Sequence, residues 1–314
     1  MRVSDLGRWT HPETILVATD LSDLDHLMPF AFEQAGETGA RLILLHALPL
    51  SSIFNADADG MPHYDTAEAI ETAQQMLWPW CEAAAGRGIR CDAMVREGNP
   101  IEQIEAAAHN FQPDRLLLGT RSRSKLSKLL LGSVAEQVLR SVYLPVITVG
   151  PEAHLQVGRD AQRVVLHATT LRETSRPSAA LACKVAATQN AKLILLHVLP
   201  PIEVMRRRGM PTGLDSAAMA ELRVLAEETG AGCCSAVEPI VAHGSPFIEI
   251  LSLAAELHAG LIILGATHRL AFENLTREST IHRVLSHARC PVLTLREPQA
   301  LPEEALANTA VAHG

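Results

Sequence analysis

Apolar residues along this chain come in short unbroken runs, separated by longer stretches in which they recur every three or four positions. In the first half the runs read TILVAT (14–19), RLILLHA (41–47), RCDAMVRE (90–97), RLLLG (115–119) and PVITV (145–149). Between them, residues 23–38, 65–85, 101–110 and 133–141 carry helical spacing. A run that is apolar without alternation is typical of a parallel strand buried on both faces, and strands alternating with helices of this length make right-handed βαβ units. Pro100 and Pro246 stand where a helix makes its first turn, a position that suits proline.

The pattern occurs twice. ARLILLHALP (40–49) recurs as AKLILLHVLP (191–200), REGNPIEQIEAAA (96–108) loosely as AHGSPFIEILSLAA (242–255), and RLLLGTRS (115–122) as LIILGATH (261–268). YLPVITV (143–149) is matched by CPVLTL (290–295). The offset is 151 from His46 to His197 but 146 from Gly98 to Gly244 and from Pro145 to Pro291, so a loop between those points is longer in the first copy. The expected fold is therefore α/β, with two tandem doubly wound domains, each a five-stranded parallel sheet flanked by helices. The units span 13–150 and 161–297, joined by a linker at 151–162, and 298–314 reads as a loose tail. In such a sheet, ligands bind beyond the carboxyl ends of the strands where the strand order reverses.

Composition narrows the function. At 314 residues with 47% apolar and 20% charged positions, the chain can bury sizeable cores. Its 11 aromatics are too few and scattered for a base-stacking platform, and a net charge of −8 disfavours a nucleic-acid or anionic-membrane partner. The six cysteines contain no CxxC pair and read as reduced, with Cys81, Cys91, Cys183 and Cys290 as small apolar fillers. No basic start followed by a long apolar stretch opens the chain, and no run approaches a membrane span, so a soluble cytoplasmic protein is expected.

The loop after the fourth strand carries the candidate chemistry. Residues 1–150 hold 12 Lys/Arg against 19 Asp/Glu, a net of −7, yet Arg121, Arg123, Lys125 and Lys128 lie within eight residues with no acid among them. Gly119 frees the backbone just after a strand, and Gly132-Ser133 opens a helix whose amides attract an anion. Neither a Walker A loop nor GxGxxG occurs.

With Gly119, Ser122 and Gly132-Ser133 spaced in this way, the chain resembles the universal stress protein family, whose ATP-binding members carry G-x2-G-x9-G-[S/T] here. ATD-S at 18–22, LLHA at 44–47, GNP at 98–100 and LPVITV at 144–149 extend the resemblance, which covers nearly the whole chain as two copies. It implies a fold of the adenine-nucleotide alpha-hydrolase-like kind and a stress-response regulatory protein binding ATP or a related adenine nucleotide, with Mg as the companion cation. It places Asp20, beside Thr19, against the adenosine part of the ligand and the Ala47 backbone against adenine. Gly119, Arg121 and Ser122 fall on the ribose and phosphate side, and Gly132, Ser133 and Val134 at the phosphate end. Ser122 departs from the family's middle glycine; where that position needs a positive φ, the added Cβ costs about 1 kcal/mol.

The second copy departs further, with His268 and Glu278 at glycine positions and Thr169 or Thr170 in place of the aspartate. A carboxylate at the phosphate end repels phosphate. The second copy is thus expected to be structural and to pair with the first, since family members associate through the last strand and VITV (146–149) and VLTL (292–295) are edge candidates. A homodimer of the tandem chain is a further arrangement open to it. Two alternatives stand beside the regulatory reading: a slow ATPase or self-phosphorylating enzyme, and a scaffold that has lost nucleotide.

No catalytic or metal set emerges. His282 and His287 are five apart and share no helix face, and no nucleophile elbow occurs. His46 and His197 read as core histidines, whereas His243 and His268 lie where they could line a worn second pocket. Met205-Arg206-Arg207-Arg208 reads as a solvated loop.

Overall fold

The computed structural model describes residues 3–49, 54–56, 62–64, 66–120, 131–155, 162–230, 236–267 and 279–297. In the first half the elements are α1 (Val3–Thr10), β1 (Thr14–Thr19), α2 (Leu24–Thr38), β2 (Arg41–Leu48), β3 (Phe54–Ala56), β4 (Pro62–Tyr64) and α3 (Thr66–Ala85). They continue as β5 (Cys91–Glu97), α4 (Pro100–Phe111), β6 (Arg115–Gly119), α5 (Ser133–Ser141) and β7 (Val146–Val149). The second half runs through β8 (Val164–Ala168), a 3-10 turn at Glu173–Ser175, α6 (Arg176–Thr188), β9 (Lys192–Leu199), α7 (Ile202–Arg207) and α8 (Leu214–Gly230). It ends with β10 (Val237–His243), α9 (Pro246–Glu256), β11 (Leu261–Thr267), α10 (Thr280–His287) and β12 (Val292–Glu297).

Each half is a five-stranded parallel sheet, in the order β5-β2-β1-β6-β7 and β10-β9-β8-β11-β12. The order reverses between β1 and β6, and again between β8 and β11. Strands β7 and β12 pair antiparallel, with Thr148 opposite Val292 and Thr294 opposite Val146, which makes one ten-stranded sheet. The junction repeats one contact on both sides. The Thr148 hydroxyl donates to the Val292 carbonyl at 3.2 Å and the Thr294 hydroxyl to the Val146 carbonyl at 3.3 Å, both threonines being buried.

Unbroken apolar strands bury both faces. Ile15 and Val17 of β1 enter a core with α2, α3, α6 and α8, while Leu16 and Ala18 enter the opposite core with α4, α5, α9 and α10. The result is a three-layer α/β/α arrangement. Among the described residues no helix is long and apolar enough to cross a membrane.

Three elements differ from expectation. The first is α1, held by a charge cluster at the entry of β6. Asp114 accepts the amides of Glu13 and Thr14 at 2.9 and 3.1 Å and pairs with Arg8 at 2.8 Å. The buried Arg115 donates to the Trp9 carbonyl at 2.8 Å and to Gln34 Oε1 at 2.6 Å, and desolvation lowers its pKa to about 10. Second, the longer loop of the first half contains the β3–β4 hairpin. Third, Met205, Arg206 and Arg207, read as part of a solvated loop, lie in the helix Ile202–Arg207, although most of it remains exposed. Part of the linker is also fixed: Ala153 is buried and the His154 amide donates to the Arg289 carbonyl at 3.0 Å. The tail at 298–314 lies outside the described residues.

His46 and His197 are structural counterparts. Each pairs Nδ1 with the carbonyl of a threonine at the carboxyl end of the neighbouring strand, Thr19 closing β1 at 3.0 Å and Thr169 just after β8 at 2.9 Å. A third strand histidine is less comfortable. His167, fully buried, stands where Val17 stands in the first half, the two opposing Leu195 and Leu44. Its Nδ1 donates to the Ile263 carbonyl at 3.0 Å, and its buried Nε2 has no hydrogen-bond partner. Burial lowers its pKa to about 4. The folded state therefore holds this imidazole neutral, while the unfolded chain takes up a proton below pH 6.5. Stability linked to His167 is complete above pH 6.5 and falls toward pH 4, by about 3 kcal/mol in all. Thermal unfolding from pH 7 to 4.5 should show a steeper fall in Tm for the natural chain than for His167→Val. Parallel curves would contradict this assignment.

Candidate functional site

The carboxyl ends of β1, β2 and β6 and the start of α5 surround a cavity of about 260 Å³, at the point where strand order reverses. Its walls include Thr19, Asp20, Asp23, Ala47, Gly119 and the Gly132–Ala135 turn, with Ala18, Leu45, Ile104 and Leu118 forming an apolar floor.

One end of this cavity is built by the turn between β1 and α2. The Thr19 hydroxyl accepts the Leu21 amide at 2.9 Å and donates to Asp23 Oδ1 at 2.7 Å. The turn carries Leu21 through a left-handed conformation, φ 72°. Asp20 Oδ1 accepts the Ser22 amide at 2.9 Å and its hydroxyl at 2.5 Å, so Asp20 orders the turn, and the N-cap residue of α2 is Asp23. Asp23 is 6% exposed and lies against Gly119, where a Cβ would come within 2.0 Å of Asp23 Oδ2. A side chain at 119 would therefore have to displace the Asp23 carboxylate.

The other end of the cavity is the start of α5. Its N-cap residue is Gly132, which offers no side chain, and the first intrahelical bond runs from Glu136 N to Gly132 O at 2.9 Å. The amides of Ser133, Val134 and Ala135 therefore have no intrahelical acceptor, and all three residues line the cavity. With the helix dipole they make an anion-attracting pole opposite the two carboxylates.

The second half has a corresponding cavity of about 450 Å³, lined by Thr169, Thr170, Arg172, His197, Val198, Gly265 and Ser279–Ile281. Leu171 repeats the left-handed turn at φ 58°, its amide donating to Thr169 Oγ1 at 3.1 Å. The chemistry differs at both ends. Thr170, in place of Asp20, pairs its hydroxyl with Ser175 at 2.9 Å. At α10 the Ser279 side chain caps the helix, accepting the His282 amide at 3.2 Å.

The Universal stress protein family model matches residues 12–150 and 162–296. The chain belongs to that family. A universal stress protein of Thermus aquaticus is 33% identical over 142 residues, covering 44% of this chain and 98% of its own length. One of Methanocaldococcus jannaschii is 27% identical over 136 residues, 43% of this chain and 80% of that protein. Among solved structures, a universal stress protein from Archaeoglobus fulgidus superposes with a TM-score of 0.71 at 24% identity, covering 90% of this chain and 98% of that one, which establishes a shared fold.

Of the residues singled out from the sequence, Thr19, Asp20, Ala47, Gly119, Gly132, Ser133 and Val134 line the first universal stress protein cavity together. Arg121 and Ser122 lie outside the described residues, as do His268 and Glu278. His243 is absent from the lining of the second cavity. It pairs instead with Asp215 of α8, a contact that raises its pKa. No cluster of three metal-ligating side chains occurs among the described residues. The residue that sequence reasoning passed over is Asp23; its signal was the second acid in ATDLSD, three positions after Asp20.

Gly119→Ala should push the Asp23 carboxylate off Thr19 and cost about 1–3 kcal/mol. In Gly119→Ala/Asp23→Ala the glycine substitution should cost markedly less than it does alone, measured by urea unfolding. Additive losses would show that the two residues are not in contact.

Proposed function

We propose that the first domain binds an adenine nucleotide, with ATP the expected ligand, and that the chain acts as a stress-response regulator whose surface changes with occupancy. The observation that supports this most strongly is the polarity of the first cavity, with acceptor carboxylates at one end and uncapped helix amides at the other. Hydroxyl donors of a ribose suit Asp20, and phosphate oxygens suit the amides of Ser133, Val134 and Ala135. The apolar floor of Leu45, Ile104 and Leu118 suits a purine, beside the Ala47 backbone. A nucleotide carries all three groups. Magnesium would enter as the counter-ion of the triphosphate, its charge supplementing the helix pole.

The second domain supports this reading by contrast. Thr170 removes the carboxylate, and the Ser279 side chain caps the start of α10 by accepting the His282 amide. Its role in this proposal is structural, through the β7–β12 junction.

Protein purified without added nucleotide should release an adenine chromophore on denaturation, or bind ATP at a single site per chain in calorimetry. Asp20→Ala should weaken binding by about tenfold or more, and Gly132→Glu should abolish it. Thr170→Ala should leave it unchanged. A chain with neither bound adenine nor a thermal response to ATP would be a nucleotide-free scaffold. Steady ADP release that is lost with Asp20→Ala would establish the ATPase alternative.

A further inference from the structure

The sulfurs of Cys81, in the last turn and a half of α3, and Cys91, the first residue of β5, lie 3.2 Å apart. Both are free thiols, and the sequence alone marked them only as small apolar fillers. We propose that Cys81 and Cys91 form an oxidation site, converted by a small peroxide into a reversible intramolecular disulfide.

The geometry favours this pair over the other described cysteines. A disulfide needs a sulfur separation of about 2.0 Å, so bond formation asks for roughly one ångström of approach. The backbone is already folded back on itself between them, through a turn in which Gly88 takes φ 74° and the Ile89 amide donates to the Ala84 carbonyl at 3.0 Å. Strand β5 ends the sheet, and Cys91 is partly exposed there, while Cys81 is 9% exposed. Cys183 and Cys290 lie deep in the two cores, and burial pushes the Cys290 thiol up to about 12.

The Cys81 thiol lies within hydrogen-bonding distance of the Cys91 sulfur. Hydrogen bonding to Cys91 lowers the pKa of Cys81, and the same contact raises that of Cys91, so the first ionisation places the thiolate on Cys81. The Cys81 thiolate attacks one oxygen of hydrogen peroxide, the O–O bond breaks, and hydroxide leaves, giving a Cys81 sulfenic acid. Cys91 then loses its proton and attacks the Cys81 sulfur, and the sulfenic oxygen leaves as water once protonated. In sum, two thiols and one peroxide give one disulfide and two waters. The bond would tie the end of α3 to the edge strand, which leads through Gly98 and Asn99 to Pro100 at the rim of the first cavity. This site stands on its own geometry, whether or not the cavity takes a nucleotide.

The test uses the full chain with hydrogen peroxide, followed by alkylation of the remaining thiols and peptide mapping without reductant. The first linkage to appear should join Cys81 to Cys91, be undone by dithiothreitol, and form about tenfold faster in the folded chain than in urea. In Cys91→Ser, dimedone should capture a sulfenic acid on Cys81. A first linkage through Cys233 or Cys234, oxidation of Cys81 to the sulfonic acid with no linkage, or equal rates in the folded and unfolded chains would overturn the proposal.

Discussion

A parallel strand that is apolar on both faces cannot meet water on either, and the architecture follows from that constraint. Helices must cover both sides of each five-stranded sheet, so successive parallel strands are joined by crossovers whose loops gather at the sheet ends. Covering the faces does not cover the edges. The open edges of β7 and β12, buried at 146–149 and 292–295, are satisfied by pairing with one another, and the Thr148 and Thr294 hydroxyls bond across the seam. Because that pairing is antiparallel, the carboxyl ends of the two sheets point in opposite directions, and the two cavities open away from each other.

The same scaffold makes two unlike cavities because their polar ends are set by short side chains. Thr19 and Thr169 hold identical left-handed turns, with Leu21 at φ 72° and Leu171 at φ 58°. Beyond that shared frame, the first cavity has carboxylates opposite amides with no intrahelical acceptor, and the second has the Thr170 and Ser279 hydroxyls bonded within the protein. The difference amounts to a few atoms at each end. Asp23 adds a second constraint, since its carboxylate occupies the space above Gly119.

Much of the fold was legible from the chain. The strands at 14–19 and 115–119 coincide with the expected runs, and α5 begins and ends at 133 and 141 as its spacing indicated. The halves could be recognised as copies because buried strands tolerate little change in volume, which keeps runs such as LILLH alike in both. The site was legible in part. Seven of the nine residues singled out line one cavity, because glycine spacing and a strand-end acid record local backbone demands. Asp23 was not anticipated, since an acid at a helix start reads equally well as a cap, and only its contacts with Thr19 and Gly119 turn it inward. Likewise α1 carries no strong signal of its own; it is docked by Arg115 and Asp114, more than a hundred residues away.

By itself, then, the sequence determined the repeat, the strand and helix alternation, and the place of the glycine-spaced loop, all of which depend on neighbours within a few residues. What the tertiary structure decided depends on distant residues brought together. It paired β7 with β12, left His167 neutral with Nε2 unpartnered, and set Cys81 against Cys91. Local periodicity specifies which face of an element is apolar. Which groups meet across that face is settled only when the layers pack.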